Sequence, residues 1–433
     1  GAGVQLVVGF VTNGSNLVHA KSMPVARTAD FVAAGAGMSP VYSGYSVDGT
    51  IQPTRHYGAV GDLRLRLDSQ SVRVLADGLA LGPVDVVTQA GEVDPSSARA
   101  ILERVCRGLA SDRIDATLGH ELEFVLVSPD GAALPKGHWT PYGLGPIRER
   151  QAFLTELAVA CADADVPLEQ LHAEYGREQY EISLPPSGPV ASADAVVVVK
   201  AIVAQVAERH GVAASFSPVP FPGAVGSGAH QHFSLSRDGV SLFSDGARPD
   251  GLHDVGANAV AGLLAHLKEA QGVLTGSVLS GSRLLPGMWS GACICWGTEN
   301  REASVRLVRA GPASPHGASV EVKVIDPSAN PYLASATILG LAHHGIREQL
   351  TLTPEMTEDP SLLSAQERAA AGIDVLEQDP GVMLDRLESS TLMRHILGEA
   401  AVEALLAVRR HEREVFDGPP ETVAEALRLA WSV

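Results

Sequence analysis

The chain has 433 residues, 45% of them hydrophobic and 19% charged, with 32 Lys+Arg against 50 Asp+Glu and a formal net charge of −18. That length exceeds what one hydrophobic core usually supports, so a small and a large domain, or one oversized barrel, are expected, with room for a buried active site. The composition excludes disorder, and the acidity excludes a generic nucleic-acid-binding or anionic-membrane surface, because phosphate polyanions would be repelled.

From Val4 to about Val87, β-rich pieces such as Gln5 to Phe10 and Leu63 to Leu67 alternate with Gly- and Ser-containing turns, which predicts a small sheet domain over residues 1–93. Asp94-Pro95-Ser96-Ser97 opens a helix, with Ser96 or Ser97 as N-cap and Ala100, Ile101, Leu102, Val105 and Leu109 at helical spacing. The second domain, 94–433, is read as α+β: strand-like runs at Ala116 to Val127, Gln179 to Leu184, His230 to Leu235, Ser304 to Leu307 and Ser319 to Val324 are separated by Ala-rich helices. No stretch approaches the roughly 20 apolar residues of a membrane span, and Val196 to Val199 is too short. Beyond Pro354 the chain is mainly helical, with Ala400 to Val415 amphipathic. No secretory signal precedes the fold. Cys106, Cys161, Cys293 and Cys295 show neither a paired framework nor zinc spacing, so reduced thiols in a cytoplasmic protein are expected.

Polar groups recur on otherwise apolar strands. Glu121 and Glu123 are two apart, so they share one strand face and must meet solvent, basic side chains or cations. Glu174 and Glu181 flank a turn at the start of another strand. The Gly-rich loop Gly223 to Gly228 runs into His230, His232 and Ser234, again on one face, suited to metal and nucleotide. Asn300-Arg301 and Arg306 supply the fixed positive charge that phosphoryl transfer needs, and Glu321 with Lys323 repeats the alternation. Salt bridging across a sheet accounts for any one of these pairs; it accounts poorly for five such segments in one chain. Hard oxygen ligands with few imidazoles suit Mg²⁺ or Mn²⁺. There is no G-x-x-x-x-G-K-[ST] and no G-x-G-x-x-G, so any nucleotide is held by another architecture.

Taken in order, Glu121-x-Glu123, Glu174 to Glu181, Gly226-Ser-Gly-Ala-His-Gln-His232, Arg283-Leu-Leu-Pro-Gly287, Asn300-Arg301 and Glu321-x-Lys-x-x-Asp-Pro-Ser-Ala-Asn-Pro-Tyr-Leu333 resemble the class I glutamine synthetase superfamily over nearly the whole chain. The resemblance implies an N-terminal β-grasp domain and a large catalytic domain whose antiparallel sheet forms a bifunnel with flanking helices. It also implies a dodecamer of two stacked hexamers with active sites between subunits. Carried over by motif, Glu123, Glu174 and Glu181 would hold one metal ion near the acceptor carboxylate, and Glu121, His230 and Glu321 a second near the ATP phosphates. His232 and Ser234 would contact ATP; Arg301 and Arg306 would embrace phosphate, with Arg301 and Glu174 at the reacting groups. Arg283, Lys323, Gly226 and Trp289 would line the acid and amine side. The implied reaction phosphorylates a γ-carboxylate with ATP, and an amine then displaces phosphate.

Departures from the family pattern redirect the expected nucleophile. Trp289 stands where ammonia-using members carry a glutamate, and Ser39 falls near the place of an aspartate that captures ammonium. Losing both anions removes most of the attraction for ammonium, whereas an aromatic can cover an alkyl or cationic amine. Val225 and Lys323 replace an asparagine and an arginine on the acid side, so glutamate or an analogue is expected there; lysine keeps the charge but not the planar fork. The segment Leu350 to Pro354 carries no tyrosine, so the adenylylation control of the family is not expected. The alternatives are an ordinary ammonia-using glutamine synthetase, an amide ligase for a non-glutamate acid, and a non-catalytic scaffold or sensor.

Overall fold

Two sheets organise the molecule, and each grows from the alternation read in the sequence. The computed structural model describes residues 3–75, 78–135, 137–312 and 314–433. In the N-terminal part, strand Leu6–Thr12 alternates Val7 and Val11 into a small core with Phe31, Tyr42, Leu65, Val84 and Val86. Its sheet runs in the order Val18–Pro24, Leu6–Thr12, Leu79–Thr88, Leu63–Leu67, Ala36–Met38, with Arg73–Val74 also paired to Leu79–Thr88. The central pairing of Leu6–Thr12 with Leu79–Thr88 is parallel and the other described pairings are antiparallel.

Ser97 then caps helix Ala98–Ser111 by accepting from the Ala100 N–H, which satisfies an otherwise orphan donor of the first turn. Beyond it lies a 10-stranded sheet in the order Asp374–Val375, Cys293–Thr298, Ala303–Val308, Ser319–Val322, Gln231–Arg237, Ile114–Val127, Gln179–Ser183, Gln170–Ala173, with Ala213–Ser215 and Val240–Ser241 attached at its side. Its described pairings are antiparallel except Cys293–Thr298 with Ala303–Val308. Those two run parallel and are joined by residues 299–302, with Glu299 in the left-handed region at φ 52°.

Helices Ala98–Ser111, Pro189–Arg209, Asp254–Leu274 and Pro331–Arg347 bury their apolar faces in one core with the inner face of this sheet. The expectation that no stretch is long and apolar enough for a membrane span is corrected by Pro189–Arg209, which has that length and composition but is mostly buried inside the protein. Its hydrophobicity is that of a core helix. All four cysteines are free thiols, three of them buried. Helix Glu399–Val415 returns to the N-terminal part, where the buried Glu412 accepts from the Ser15 hydroxyl at 2.8 Å and the Val47 N–H at 3.0 Å.

Candidate active site

Strand Ile114–Val127 changes partner halfway, and the site forms at the change. Ile114 to His120 pair with Gln231–Arg237, whereas Glu121 to Val125 pair with Gln179–Ser183. Across the gap the Gly-rich loop continues the ladder by backbone bonds alone: the Glu121 N–H donates to His230 O at 2.9 Å and the Glu123 N–H to Gly228 O at 3.0 Å. A Cβ built on Gly228 would lie 2.5 Å from His230 Nε2, 3.0 Å from Arg283 Nη2 and 3.1 Å from Glu123 Oε1. Only glycine lets the loop pass through this knot of imidazole, guanidinium and carboxylate side chains.

Cross-strand register lines the remaining groups up in two rows. In one row His232 stands opposite Glu321, which stands opposite Arg306; in the other Glu123 stands opposite Glu181, which stands opposite His172. Side chains from these rows and from His230 converge into three groups whose ligand atoms lie within 4.8 Å of one another: Glu121, His230 and Glu321; Glu123, Glu181 and His230; and His172, Glu174 and Glu181. Glu123 and Glu174 therefore meet through Glu181. His172 was not anticipated from the sequence, yet its signal was there: it lies two residues before Glu174 along a strand, on the same face.

Within the first group His230 Nδ1 is 3.4 Å from both Glu121 Oε2 and Glu321 Oε1, and His232 Nε2 is 3.4 Å from Glu121 Oε1. Lys323 Nζ donates to Glu321 Oε1 at 3.2 Å, and Arg306 joins Glu321 Oε2 at 3.2 Å to Glu299 Oε2 at 2.7 Å. Gln179 Nε2 donates to Glu123 Oε2 at 2.8 Å and to Gly226 O at 2.9 Å, tying the loop to the acids. The buried Arg283 donates to Val324 O and Lys323 O, each at 3.1 Å. Ser234 lies farther along the strand, its hydroxyl donating to Ala318 O at 2.8 Å.

Two sequence-derived candidates stand apart from this convergence. Arg301 is exposed in the connection 299–302, and Trp289 is 58% exposed in a turn with φ +54°.

The electrostatics divide the acids. Burial pushes Glu123 up to about 8, helped by the neighbouring charge of Glu174. Glu181 is pushed well above the ordinary range by burial and then by Glu121, Glu123 and Glu174. On the other side burial also opposes ionisation, but the imidazoles of His230 and His232 hold Glu121 well below the usual range. Lys323 and the same two imidazoles outweigh burial at Glu321, which lies at about 2. Burial and then the Lys323 charge depress His230 to about 4, leaving it neutral and able to ligate. Buried like charges that bind protons so readily are relieved by a cation. The donor set, carboxylate-rich with one imidazole in each group, fits Mg²⁺ or Mn²⁺.

The glutamine synthetase catalytic-domain family matches residues 95–425. The gamma-glutamylpolyamine synthetase GlnA3 of Streptomyces coelicolor is 34% identical over 438 aligned positions, covering 99% of this chain and 94% of that protein. Among solved structures, one described as a novel glutamine synthase homolog superposes with a TM-score of 0.87 at 29% identity, covering 99% of both chains. A GmaS/ADP complex superposes with a TM-score of 0.85 at 25% identity, covering 96% of this chain and 94% of that one. With a carboxylate–imidazole array at the centre of its main sheet and similarity along nearly its whole length, the chain belongs to the glutamine synthetase family and is an ATP-dependent carbon–nitrogen ligase.

Proposed function

We propose that this protein joins the γ-carboxylate of glutamate, or of a close analogue, to an organic amine, cleaving ATP to ADP and phosphate through a γ-glutamyl phosphate. The observation that carries the reading is the complete acid–imidazole array in a chain that also presents an exposed aromatic, Trp289, on the turn held by Glu302. The name of the Streptomyces coelicolor relative supports a γ-glutamyl amide product.

In this reading Glu121, His230 and Glu321 hold one divalent ion, and Glu123, Glu174 and Glu181 hold another, with His172 within reach of the second. Bound Mg²⁺ or Mn²⁺ would supply neutralisation of phosphate oxygens. The chain's own residues do the rest. His232 and Ser234 face the nucleotide; Arg306 and Arg301 balance charge on the transferring phosphoryl group; Arg283 and Lys323 receive the acid's carboxylate, with Gly226 holding the loop against Arg283. Glu174 lies beside the acyl group. The amine lone pair attacks the acyl carbon, the C–N bond forms, phosphate departs with the electrons of the C–O bond, and the proton that the nitrogen sheds passes to that phosphate. Trp289 covers the amine and excludes water.

The division at residue 93, a cytoplasmic setting and a dodecamer of two stacked hexamers with shared sites complete the proposal. Incubation with ATP, Mg²⁺, glutamate and a panel of amines tests it: phosphate release should depend on the amine, and ammonia outperforming every amine would sink the assignment.

A further inference from the structure

Beneath the Trp289 turn lies a carboxylate that none of the assigned roles uses. Glu302 enters strand Ala303–Val308, on which Ala303, Val305 and Leu307 face the core. By the two-residue period Glu302 therefore shares the side of Ser304 and of Arg306, the residue opposite Glu321. It is 4% exposed. Its Oε1 accepts from the Trp289 N–H at 2.7 Å; burial raises the carboxyl above its ordinary range, and the Trp289 and Gly287 amides offset only part of that. Its Oε2 is buried and has no hydrogen-bond partner among the described residues. An unsatisfied carboxylate oxygen in such surroundings carries a full desolvation penalty.

The turn presents Leu285, Met288 and Trp289 to solvent at 39%, 48% and 58% exposure, while its backbone rests on the sheet. Gly291, at φ +71°, passes so close that a Cβ there would lie 2.7 Å from Lys323 Cβ and 3.0 Å from Ser304 Cα. Glu302 is one two-residue step, roughly 6.6 Å, beyond Ser304, whose backbone oxygen accepts from the Lys323 N–H. That step along the strand is about the length of a short alkyl chain.

We propose that Glu302 is a specificity-determining residue of the amine site, its unpartnered oxygen accepting from the distal ammonium of a diamine or polyamine whose other nitrogen attacks the acyl group. This rests on the amine-ligase reading. The turn opens to admit the amine and closes with Trp289 over its alkyl spacer, and the charge-assisted bond satisfies the oxygen that the free protein leaves bare.

The test compares 1,4-diaminobutane with butylamine, which has the same length and lacks the second charge, in the parent protein and in Glu302→Gln. Hydroxylamine, a small uncharged nucleophile, reports whether each preparation is folded and competent. The ratio of kcat/KM for the diamine to that for butylamine should fall at least tenfold in Glu302→Gln. A residue that only clamps the turn would lower both in proportion, so an unchanged ratio overturns the proposal. Should Glu302→Gln not fold, Glu302→Ser reads the same ratio. A parent protein that uses hydroxylamine but neither alkylamine overturns the amine-ligase reading itself, a pattern distinct from an unchanged ratio.

Discussion

Lys323 and Glu321 share one strand face, and the Lys323 ammonium donates to Glu321 at 3.2 Å with both side chains buried. A fixed cation thus sits against the acid proposed to hold a divalent one, and it competes for that oxygen. Lys323→Met should tighten Mn²⁺ binding about tenfold, the scale of one partly screened charge–charge term, while raising the KM for glutamate. Isothermal calorimetry reads the first and steady-state kinetics the second. Unchanged or weaker Mn²⁺ binding would show that the lysine neither competes nor repels.

The raised Glu123 fixes the sign of a pH effect. Its folded value of about 8 lies above its ordinary value, so the metal-free folded state binds a proton that the unfolded chain releases. That contribution to stability is full below the ordinary glutamate range and is lost as pH rises through about 8. Metal must displace the same proton, so Mn²⁺ affinity should climb with pH through about 8. In Glu123→Gln the climb should become shallower, and the fall of the metal-free melting temperature between neutral and alkaline pH should shrink, with Glu181 supplying what remains. A parent affinity independent of pH would contradict the buried-acid assignment.

Most of this arrangement could be read in the sequence because strand periodicity is local. Glu121 with Glu123, His230 with His232, and Glu321 with Lys323 each sit two apart, and the structure keeps each pair on one face. What periodicity cannot give is which strands become neighbours. The row His172, Glu181, Glu123 exists only through the register of three antiparallel strands, although the spacing of His172 from Glu174 is itself local. The same limit applies to Glu302, whose position matters only because its Oε1 takes the Trp289 N–H from a distant turn. Arg306 was legible as a cation, but its tie to Glu299 depends on a left-handed residue that no pattern announced.

Gly228 separates steric from conformational demands. Its backbone is not in the left-handed region, so alanine is conformationally allowed; the obstacle is the side chains of His230, Arg283 and Glu123 within 3.1 Å of the new Cβ. Gly228→Ala should leave the fold within about 2 kcal/mol of the parent yet lower kcat/KM at least a hundredfold, because displaced ligands misplace the reacting groups. Parallel chemical denaturation and amine-dependent phosphate release check the split. Near-parental activity would mean that these side chains need not hold their observed positions.

Arg99 links the N-terminal sheet to the body of the molecule. It reaches Asp68 at 2.7 Å and Asp85 at 2.9 Å in that sheet, and Asp194 of helix Pro189–Arg209 at 3.2 Å. Asp194 is buried, so removing the arginine strands a charge. Arg99→Met should cost about 3 kcal/mol, measured by urea unfolding, and Asp194→Asn in the same chain should recover part of that loss. A double variant no more stable than Arg99→Met would show that the stranded carboxylate is not the source of the cost.

Trp289 offers the sharpest reversal of specificity. Its side chain is 58% exposed and its amide is already anchored to Glu302, so replacing the indole need not disturb the backbone that carries it. Glutamate there would restore an anion at the mouth of the site, favouring ammonium, and would remove the apolar cover from an alkyl chain. Trp289→Glu should therefore raise the ratio of kcat/KM for ammonia to that for butylamine at least tenfold, with the KM for ATP little changed. Trp289→Phe, which keeps an aromatic cover without the charge, should leave the ratio within about threefold, since swapping one apolar cover for another is worth under about 1 kcal/mol. If both variants moved the ratio equally, the size of the side chain and not its charge would be what selects the nucleophile.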